Sequence, residues 1–465
     1  DSKSNEINYT IDPGFINKYN KPGPRYTSYP PAPYFTTDID REQWAKTLQT
    51  SNKYNDNISF YFHIPFCPKR CLYCGCTTDT GVKRTRLDSY FNAITKEMGL
   101  VLPHIETTRP VSQIHFGGGT PNFFPYAYLE QLLSILINKF SLTEKAEIAI
   151  ECDPNLLNLE KLSALRKMGL NRISFGLQDF NKTVLKNVNR KFPETPPDKL
   201  IQHSRKLGFR GINLDLIYGL PGQDISTFRQ TLQKTIEADP DRVAVFGYAH
   251  VPWQMPHQEQ LEKLGLVNPD ERIQMSILAH DALKEAGYTP IGMDHFAKKD
   301  DALAIALKER KLHRNFQGYC TKETTGQVYA FGASGISQLY EGYGQNIKGT
   351  DEYINMINQN KLPLSKTYFM TKENLFFREV INGLMCRGEL NPSLLAERFN
   401  MSKAEVTAKT AFGMGQLDEF EQDGIVERDG KTLRITPKGW LVVRCVAMVF
   451  DPLLEQNKGR YSKTM

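Results

Sequence analysis

The sequence predicts an α/β protein: a partial or complete parallel β/α barrel of about six or more βα units, with an N-terminal arm and a mainly helical, winged-helix-like C-terminal domain. Short β-rich runs alternate with longer amphipathic runs from Ile58 to about Ala297. Polar and glycine-rich motifs fall at or just past the ends of the β-rich runs, and the final hundred or so residues turn to helical character. Strand–helix alternation over such a length implies parallel strands joined by right-handed crossovers. In a barrel of this kind the chemistry gathers at the C-terminal ends of the strands. A doubly wound open sheet is the alternative architecture.

Residues 1–57 read as an irregular arm rich in Pro and Tyr (KPGPRYTSYPPAPY), either packed on the domain or, through Arg25 and its aromatics, closing over a site. The barrel domain and its following segment span 58–364. Strands are expected at 58–64, 111–117, 146–152, 171–176, 212–219 and 242–249. Helices are expected at 88–102, 128–140, 159–168, 225–238 and 273–287, the last leading into YTPIGMDHFA. The C-terminal domain, 365–465, opens with a helix at 374–385. LNPSLLAERFN and the residues after it have a helix–turn–helix pattern, and 425–440 reads as a hairpin turning at Asp429-Gly430.

A chain of 465 residues, 40% apolar, is long enough to bury one large core and a smaller one. A formal charge of +6 suits an anionic small molecule as well as a weak nucleic-acid contact and decides neither. Across 390–440 the bases are offset by Glu397, Glu405, Asp418, Glu419, Glu421, Asp423, Glu427 and Asp429. A DNA-reading helix needs a basic face, so the domain is expected to cap the barrel, with no nucleic-acid partner. No apolar run approaches the ~20 residues that span a bilayer, so no membrane partner is expected. The opening DSKSNEINYT is polar, without the pattern of a signal peptide, and begins without Met, as after removal of a tag or leader. The expected location is cytoplasmic. Of eight cysteines, four lie between Cys67 and Cys76. A disulfide framework spreads its cysteines along a short secreted chain, so this cluster points to metal or cluster ligation in a reducing compartment.

HIPFCPKRCLYCGC places Cys67, Cys71 and Cys74 in C-x3-C-x2-C spacing directly after a strand. A 4Fe–4S cube usually takes four thiolates. Three from one loop leave one iron open, able to chelate the amino and carboxylate groups of S-adenosylmethionine. One electron passed to the sulfonium then releases a 5′-deoxyadenosyl radical. Zinc with Cys76 as fourth ligand is the alternative, although C-x-C closure is less usual than paired C-x2-C knuckles. Tyr73 is expected to pack against the cluster or an adenine.

FGGGTP follows a strand and precedes a helix, and its glycines allow close backbone approach; Gly118, Gly119 and Thr120 are the candidates. Without a Walker or GxGxxG pattern it is not a phosphate loop. In IECDP, Asp153 reads as a cap ahead of Pro154, and Glu151 as an acceptor for ribose hydroxyls. Gln178 and Asp215 each read as structural singly; their shared strand-end edge groups them with the site. Arg190 reads as a helix-end charge or a carboxylate partner. His295 in MDHFA reads as a hydrogen-bonding histidine, and Arg314 in HRNFQGY as a carboxylate clamp. Cys152, Cys320, Cys386 and Cys445 read as small buried hydrophobes.

The C-x3-C-x-aromatic-C loop resembles that of the radical S-adenosylmethionine superfamily. With KYNKPGPRYTSYPPA, HFGGGTPN, IECDPN, SFGLQDFN, NVNR, NLDLIYGLP, YAHVP, GMDHFA and HRNFQGY, nearly the whole chain resembles the oxygen-independent coproporphyrinogen III oxidases. That resemblance implies a 4Fe–4S cluster on Cys67, Cys71 and Cys74, and two molecules of S-adenosyl-L-methionine. One ligates the cluster near Tyr61, Gly118, Glu151 and Ile336. The second lies near Tyr73, Gly119, Thr120, Gln178, Arg190, Asp215 and Ala249. Gln317 and Ile336 fall where the family's active-site residues do. Two propionates of coproporphyrinogen III would become vinyl groups, giving protoporphyrinogen IX in anaerobic heme biosynthesis. A monomer, an electron donor such as flavodoxin or ferredoxin, and an electron acceptor of unknown identity complete the expectation. Heme chaperones of the superfamily share the cysteine loop and glycine motif, but usually lack the arm and the MDHFA and NFQGY forms. An iron–sulfur DNA-binding regulator is the further alternative. WQMPHQEQ, after YAHVP, has no place in the pattern.

Overall fold

The computed structural model describes residues 12–54, 57–321 and 326–454; the polar stretch at 1–10 lies outside them. The chain forms two compact units, neither continuous in sequence: one gathers 35–267 and 321–370, the other 1–34, 268–320 and 371–465.

The first unit is built on a sheet. Its strands are β1 (Ile58–Ile64), β2 (Val111–Gly118), β3 (Leu142–Cys152), β4 (Arg172–Gln178), β5 (Gly211–Tyr218), β6 (Arg242–Gly247), β7 (Gln327–Phe331), β8 (Ile336–Gln338), β9 (Gly342–Asn346) and β10 (Leu364–Phe369). They lie in the order β10-β9-β8-β7-β1-β2-β3-β4-β5-β6. From β7 through β6 every pairing is parallel. The pairings among β7, β8, β9 and β10 are antiparallel. The order is linear and does not close, so of the two expected forms this is the partial barrel. Helices Arg84–Val101, Tyr126–Lys139, Leu159–Lys167, Pro197–Lys206 and Ile225–Ala238 lie in the crossovers.

Local sequence accounts for these elements. In β1, ISFYFHI is buried on both faces, as a parallel strand under helices must be. Ile225–Ala238 opens with a reciprocal cap between Asp224 and Thr227 and stops at Asp239, which turns left-handed at φ 58°. Several expected bounds shift: β3 begins at Leu142 rather than 146, the strand expected to reach 249 ends at Gly247, and the helices expected from 88 and 273 begin at Arg84 and Pro269. Strands β7 to β10 were not expected. Gly326, Gly332, Gly335, Gly342 and Gly344 break the apolar alternation there, so neighbouring strands rather than local pattern specify them.

In the second unit, Pro269–Glu285 is helical, and Thr289–Ile291 pairs antiparallel with His295–Ala297. HRNFQGY forms a second hairpin, Leu312–Asn315 against Gly318–Thr321. Lys372–Asn382, Pro392–Phe399 and Lys403–Met414 are helices, followed by the hairpin Val426–Asp429 and Thr432–Ile435. Asp429 pairs with Thr432, so the turn is Gly430-Lys431, one residue beyond the expected position. The arm supplies core here: Tyr19, Tyr26 and Tyr29 are at most 2% exposed, and Tyr26 and Tyr29 each donate to Asp451 at 2.9 Å.

Candidate active site

Buried and half-buried residues alternate along the parallel strands, most clearly in β4 and β5, which puts the half-buried set on one face of the sheet. The half-buried positions are polar and in register. Tyr61 of β1 pairs with His115 of β2, Glu151 of β3 with Ser174 of β4, and Ser174 with Asn213 of β5. Tyr61 stacks on the His115 ring at 5.8 Å. Glu151 Oε1 lies 2.9 Å from His115 Nε2, and Glu151 Oε2 accepts from the Gly118 amide at 3.3 Å. Burial opposes the charge of Glu151, but His115, Gly118 and His63 outweigh it and hold its pKa below the usual carboxylate range. Asp215 accepts from Asn213 Nδ2 at 2.6 Å and from the Ser174 hydroxyl at 3.1 Å. Gln178 ends β4 at φ 76°.

All parallel strands release their chains at one edge, and the cysteine loop leaves β1 there. The glycine motif fits over it: Gly119 N donates to Ile64 O at 2.8 Å and Thr120 N to Phe66 O at 3.0 Å. Thr120 Oγ1 is 3.1 Å from Cys67 Sγ. A Cβ on Gly119 would stand 2.9 Å from that sulfur, and Gly118 takes φ 119°; only glycine leaves the approach to the thiol open. Burial first, then the nearby Cys74 and Cys71 charges, push the Cys67 thiol up to about 11 against the Thr120 hydrogen bond. The Cys71 and Cys74 thiols both act on Cys67, and a loop carrying three such sulfurs fits a 4Fe–4S cluster, whose irons would neutralise their charges. Cys76 is exposed, its amide donating to Cys74 Sγ at 3.4 Å.

NVNR braces this loop. Leu72 N donates to Val188 O at 3.1 Å, Asn189 Nδ2 to Arg70 O at 2.7 Å, and Arg190 Nη1 to Cys71 Sγ at 3.3 Å. Arg190 Nη2 also meets Asp153 at 3.1 Å and the Gly176 carbonyl at 2.5 Å. Arg190 is therefore a buried carboxylate partner rather than a surface charge. Asp153 keeps its capping role, accepting from Asn155 N at 3.0 Å. Asn122 and Asp153 exchange two hydrogen bonds, 3.0 and 2.9 Å, which tie the glycine motif to IECDP.

His257 and Gln258, within the unplaced WQMPHQEQ, were not among the expected site residues. His257 Nε2 lies 2.8 Å from Cys74 O, while Gln258 Nε2 donates to Tyr73 O at 3.0 Å and Ala249 O at 3.2 Å. Both belong to a single 3-10 turn, Pro256–Gln258, too short to give a periodic signal. Tyr73, expected against cluster or adenine, packs on Val184, Val188, Leu220, Tyr248 and Leu261. Ile336 begins β8 on the turn that follows β7, beside β1. Gln317 belongs to the second unit, at the hairpin tip, its amide donating to Asn315 Oδ1 at 2.8 Å.

Residues 61–235 match the radical SAM superfamily, and 370–442 match the HemN C-terminal domain. The oxygen-independent coproporphyrinogen III oxidase of Synechocystis sp. is 40% identical over 446 residues, 96% of this chain and 95% of that protein. That of Pseudomonas aeruginosa is 35% identical over 457 residues, 98% of each. The solved coproporphyrinogen III oxidase of Escherichia coli, described as a radical SAM enzyme, aligns with a TM-score of 0.88 at 35% identity, over 96% of this chain and 99% of that one. A parallel partial barrel with three cysteines on the loop after its first strand defines a radical S-adenosylmethionine enzyme, an oxidoreductase that works with a 4Fe–4S cluster and S-adenosylmethionine. Cys67, Cys71 and Cys74 would hold the cluster. Within that class, the chain belongs to the oxygen-independent coproporphyrinogen III oxidases. No helix among the described residues is long and apolar enough to cross a membrane.

Proposed function

We propose that this chain converts two propionate side chains of coproporphyrinogen III to vinyl groups with loss of two molecules of carbon dioxide, yielding protoporphyrinogen IX. The observation that carries this is the meeting of Cys67, Thr120, Glu151 and Arg190 at one strand-end edge, in a chain alike over 96% of its length to an enzyme named for that substrate. When bound, the cluster and S-adenosylmethionine supply a 5′-deoxyadenosyl radical able to take a β-hydrogen from a propionate.

The residues divide the remaining work. Glu151, kept ionised by His115, accepts ribose hydroxyls. Gly118 gives backbone access, and Tyr61 and Ile336 bound the same nucleoside. A second S-adenosylmethionine is assigned to Tyr73, Gly119, Thr120, Gln178, Arg190, Asp215 and Ala249. Arg190 Nε, buried without a partner among the described residues, is the donor left for it. Gln317 is assigned to the substrate side. A cytoplasmic monomer reduced by flavodoxin or ferredoxin is part of the same proposal.

The test is anaerobic incubation of the cluster-loaded protein with coproporphyrinogen III, S-adenosylmethionine, a reductant and a one-electron acceptor, which takes the electron that each substrate radical gives up as it loses carbon dioxide. Expected products are 5′-deoxyadenosine and a tetrapyrrole lighter by two formic acid equivalents. Cofactor cleavage with unchanged tetrapyrrole removes the substrate assignment. Heme capture without turnover replaces it with the chaperone role.

A further inference from the structure

In the second unit, three guanidinium groups, the exposed Arg25 and the buried Arg314 and Arg444, act electrostatically on one carboxylate. Arg314, 4% exposed, stands on the strand Leu312–Asn315; Arg444, 2% exposed, lies in the helix Val443–Val449; Arg25 comes from the arm. Arg314 Nε donates to the Arg25 carbonyl at 3.3 Å, and its guanidinium lies 4.5 Å from the centre of the Tyr319 ring. The carboxylate is Asp294, in the turn of the first hairpin, already bonded to His295 Nδ1 at 2.8 Å. Burial raises the pKa of Asp294, yet His295, Arg314 and Arg25 together hold it at about 2. Burial, Arg25 and Arg314 push Arg444 down to about 10, against the opposite pull of Cys445 and Asp294.

The positive charge outnumbers its partner, and the hydrogen bonds are incomplete. Among the described residues, Arg314 Nη1, Arg444 Nε and Nη2, Asn315 Nδ2 and Tyr319 OH are buried with no partner. Buried guanidinium donors left unmade are costly, and a set serving only to hold the fold would be paired. A planar fork of unpaired N–H groups matches a carboxylate, which accepts two at once.

We propose that Arg314 and Arg444, with Arg25, Asn315 and Tyr319, form a carboxylate-binding site. Its ligand, which rests on the substrate reading above, is a propionate of the tetrapyrrole that survives the reaction. A guanidinium clamp stabilises the anion and so opposes loss of that carboxyl as carbon dioxide. The clamp therefore suits one of the carboxylates retained in the product.

The experiment uses the full, cluster-loaded chain and its Arg444→Met and Arg314→Lys variants. Coproporphyrin III, the stable oxidised tetracarboxylate, and its tetramethyl ester are titrated by fluorescence. Wild type is expected to bind the acid at least about 10-fold more tightly than either variant. Ester binding is expected to be weak and the same in all three. R444M is expected to keep its cluster absorbance and a thermal midpoint at or above wild type, because an unpaired buried cation has been removed. Should R444M not fold, R314K, which keeps the charge and loses the fork, carries the test. Equal binding of the acid by wild type and R314K, or equal binding of acid and ester by wild type, overturns the site. If wild type binds no coproporphyrin, the substrate reading fails on its own account. Sodium propionate then decides the site: a rise in the wild-type midpoint that R314K lacks sustains it, and no rise overturns it.

Discussion

Arg190 joins Cys71 to Asp153: one terminal nitrogen lies 3.3 Å from the sulfur and the other 3.1 Å from the carboxylate. A helix-end residue more than a hundred positions downstream thereby positions the middle cysteine of the loop. Arg190→Ala leaves Asp153 buried without its counter-charge, and loss of one partner of a buried ion pair costs about 3–5 kcal/mol. The expected outcome is lower iron content per chain and a lower unfolding midpoint. Arg190→Lys, with charge but no fork, should fall between. Iron analysis on anaerobically purified protein checks both, and wild-type iron content in Arg190→Ala refutes the role.

Cys76 stands apart from the other three cysteines by its exposure. Replacing Cys67, Cys71 or Cys74 with Ser should abolish cluster absorbance and turnover. Cys76→Ser should retain the cluster. Loss of absorbance in Cys76→Ser alone contradicts a three-thiolate site.

His115 is the side chain that keeps Glu151 ionised. His115→Ala should raise the KM for S-adenosylmethionine about 10-fold, roughly 1.4 kcal/mol, as expected for a lost hydrogen bond to a charged group. It also removes the main force depressing the Glu151 pKa. The rise of KM on acidification should then begin at a higher pH than in wild type, and coincident pH profiles would exclude the assignment.

Gln258 holds Tyr73 O and Ala249 O with one nitrogen, while its oxygen accepts from Val251 N at 2.7 Å. Gln258→Ala breaks the tie between the cysteine loop and the segment after β6. Turnover should drop by about 10-fold or more while the cluster is still assembled, because small misplacements near reacting groups are costly. Unchanged turnover would show that the tie is dispensable.

Glu97 is a buried acid of the first unit, 2% exposed, accepting from Gly332 N at 2.8 Å, Asn346 Nδ2 at 2.6 Å and Tyr353 OH at 2.5 Å. Burial outweighs those donors and pushes its pKa up from 4.5 to about 7. The folded state thus binds a proton more tightly than the unfolded chain. Stability from this residue is full below about pH 4.5, falls as pH rises towards 7, and is then flat. The gap amounts to ~3 kcal/mol as an order of magnitude. Glu97→Gln should flatten the fall when denaturant midpoints are compared at about pH 5 and about pH 8. An undiminished fall in that variant would assign the pH dependence elsewhere.

The strand–helix alternation, the three-cysteine spacing, the glycine motif and Glu151 were legible in the amino-acid order. Each is local: a side-chain period, a loop of ten residues or a turn that demands glycine. The edge shared by Glu151, Gln178 and Asp215 followed from parallel strands, whose C-terminal ends lie together whatever their order. Strands β7 to β10 stayed hidden because their stability comes from pairing partners and not from an apolar alternation of their own.

Local order therefore settled the parallel strands from β1 to β6 and most of the helices, and pointed to the residues proposed for the sulfur and carboxylate chemistry. Folding in three dimensions decided their partners. Arg190 with Cys71, His115 with Glu151, His257 and Gln258 with the cysteine loop, and the unpaired guanidinium groups of Arg314 and Arg444 are pairings or exclusions between distant segments. A hydrogen bond or a buried charge depends on distance and burial, and neither is written in the spacing of residues along a chain.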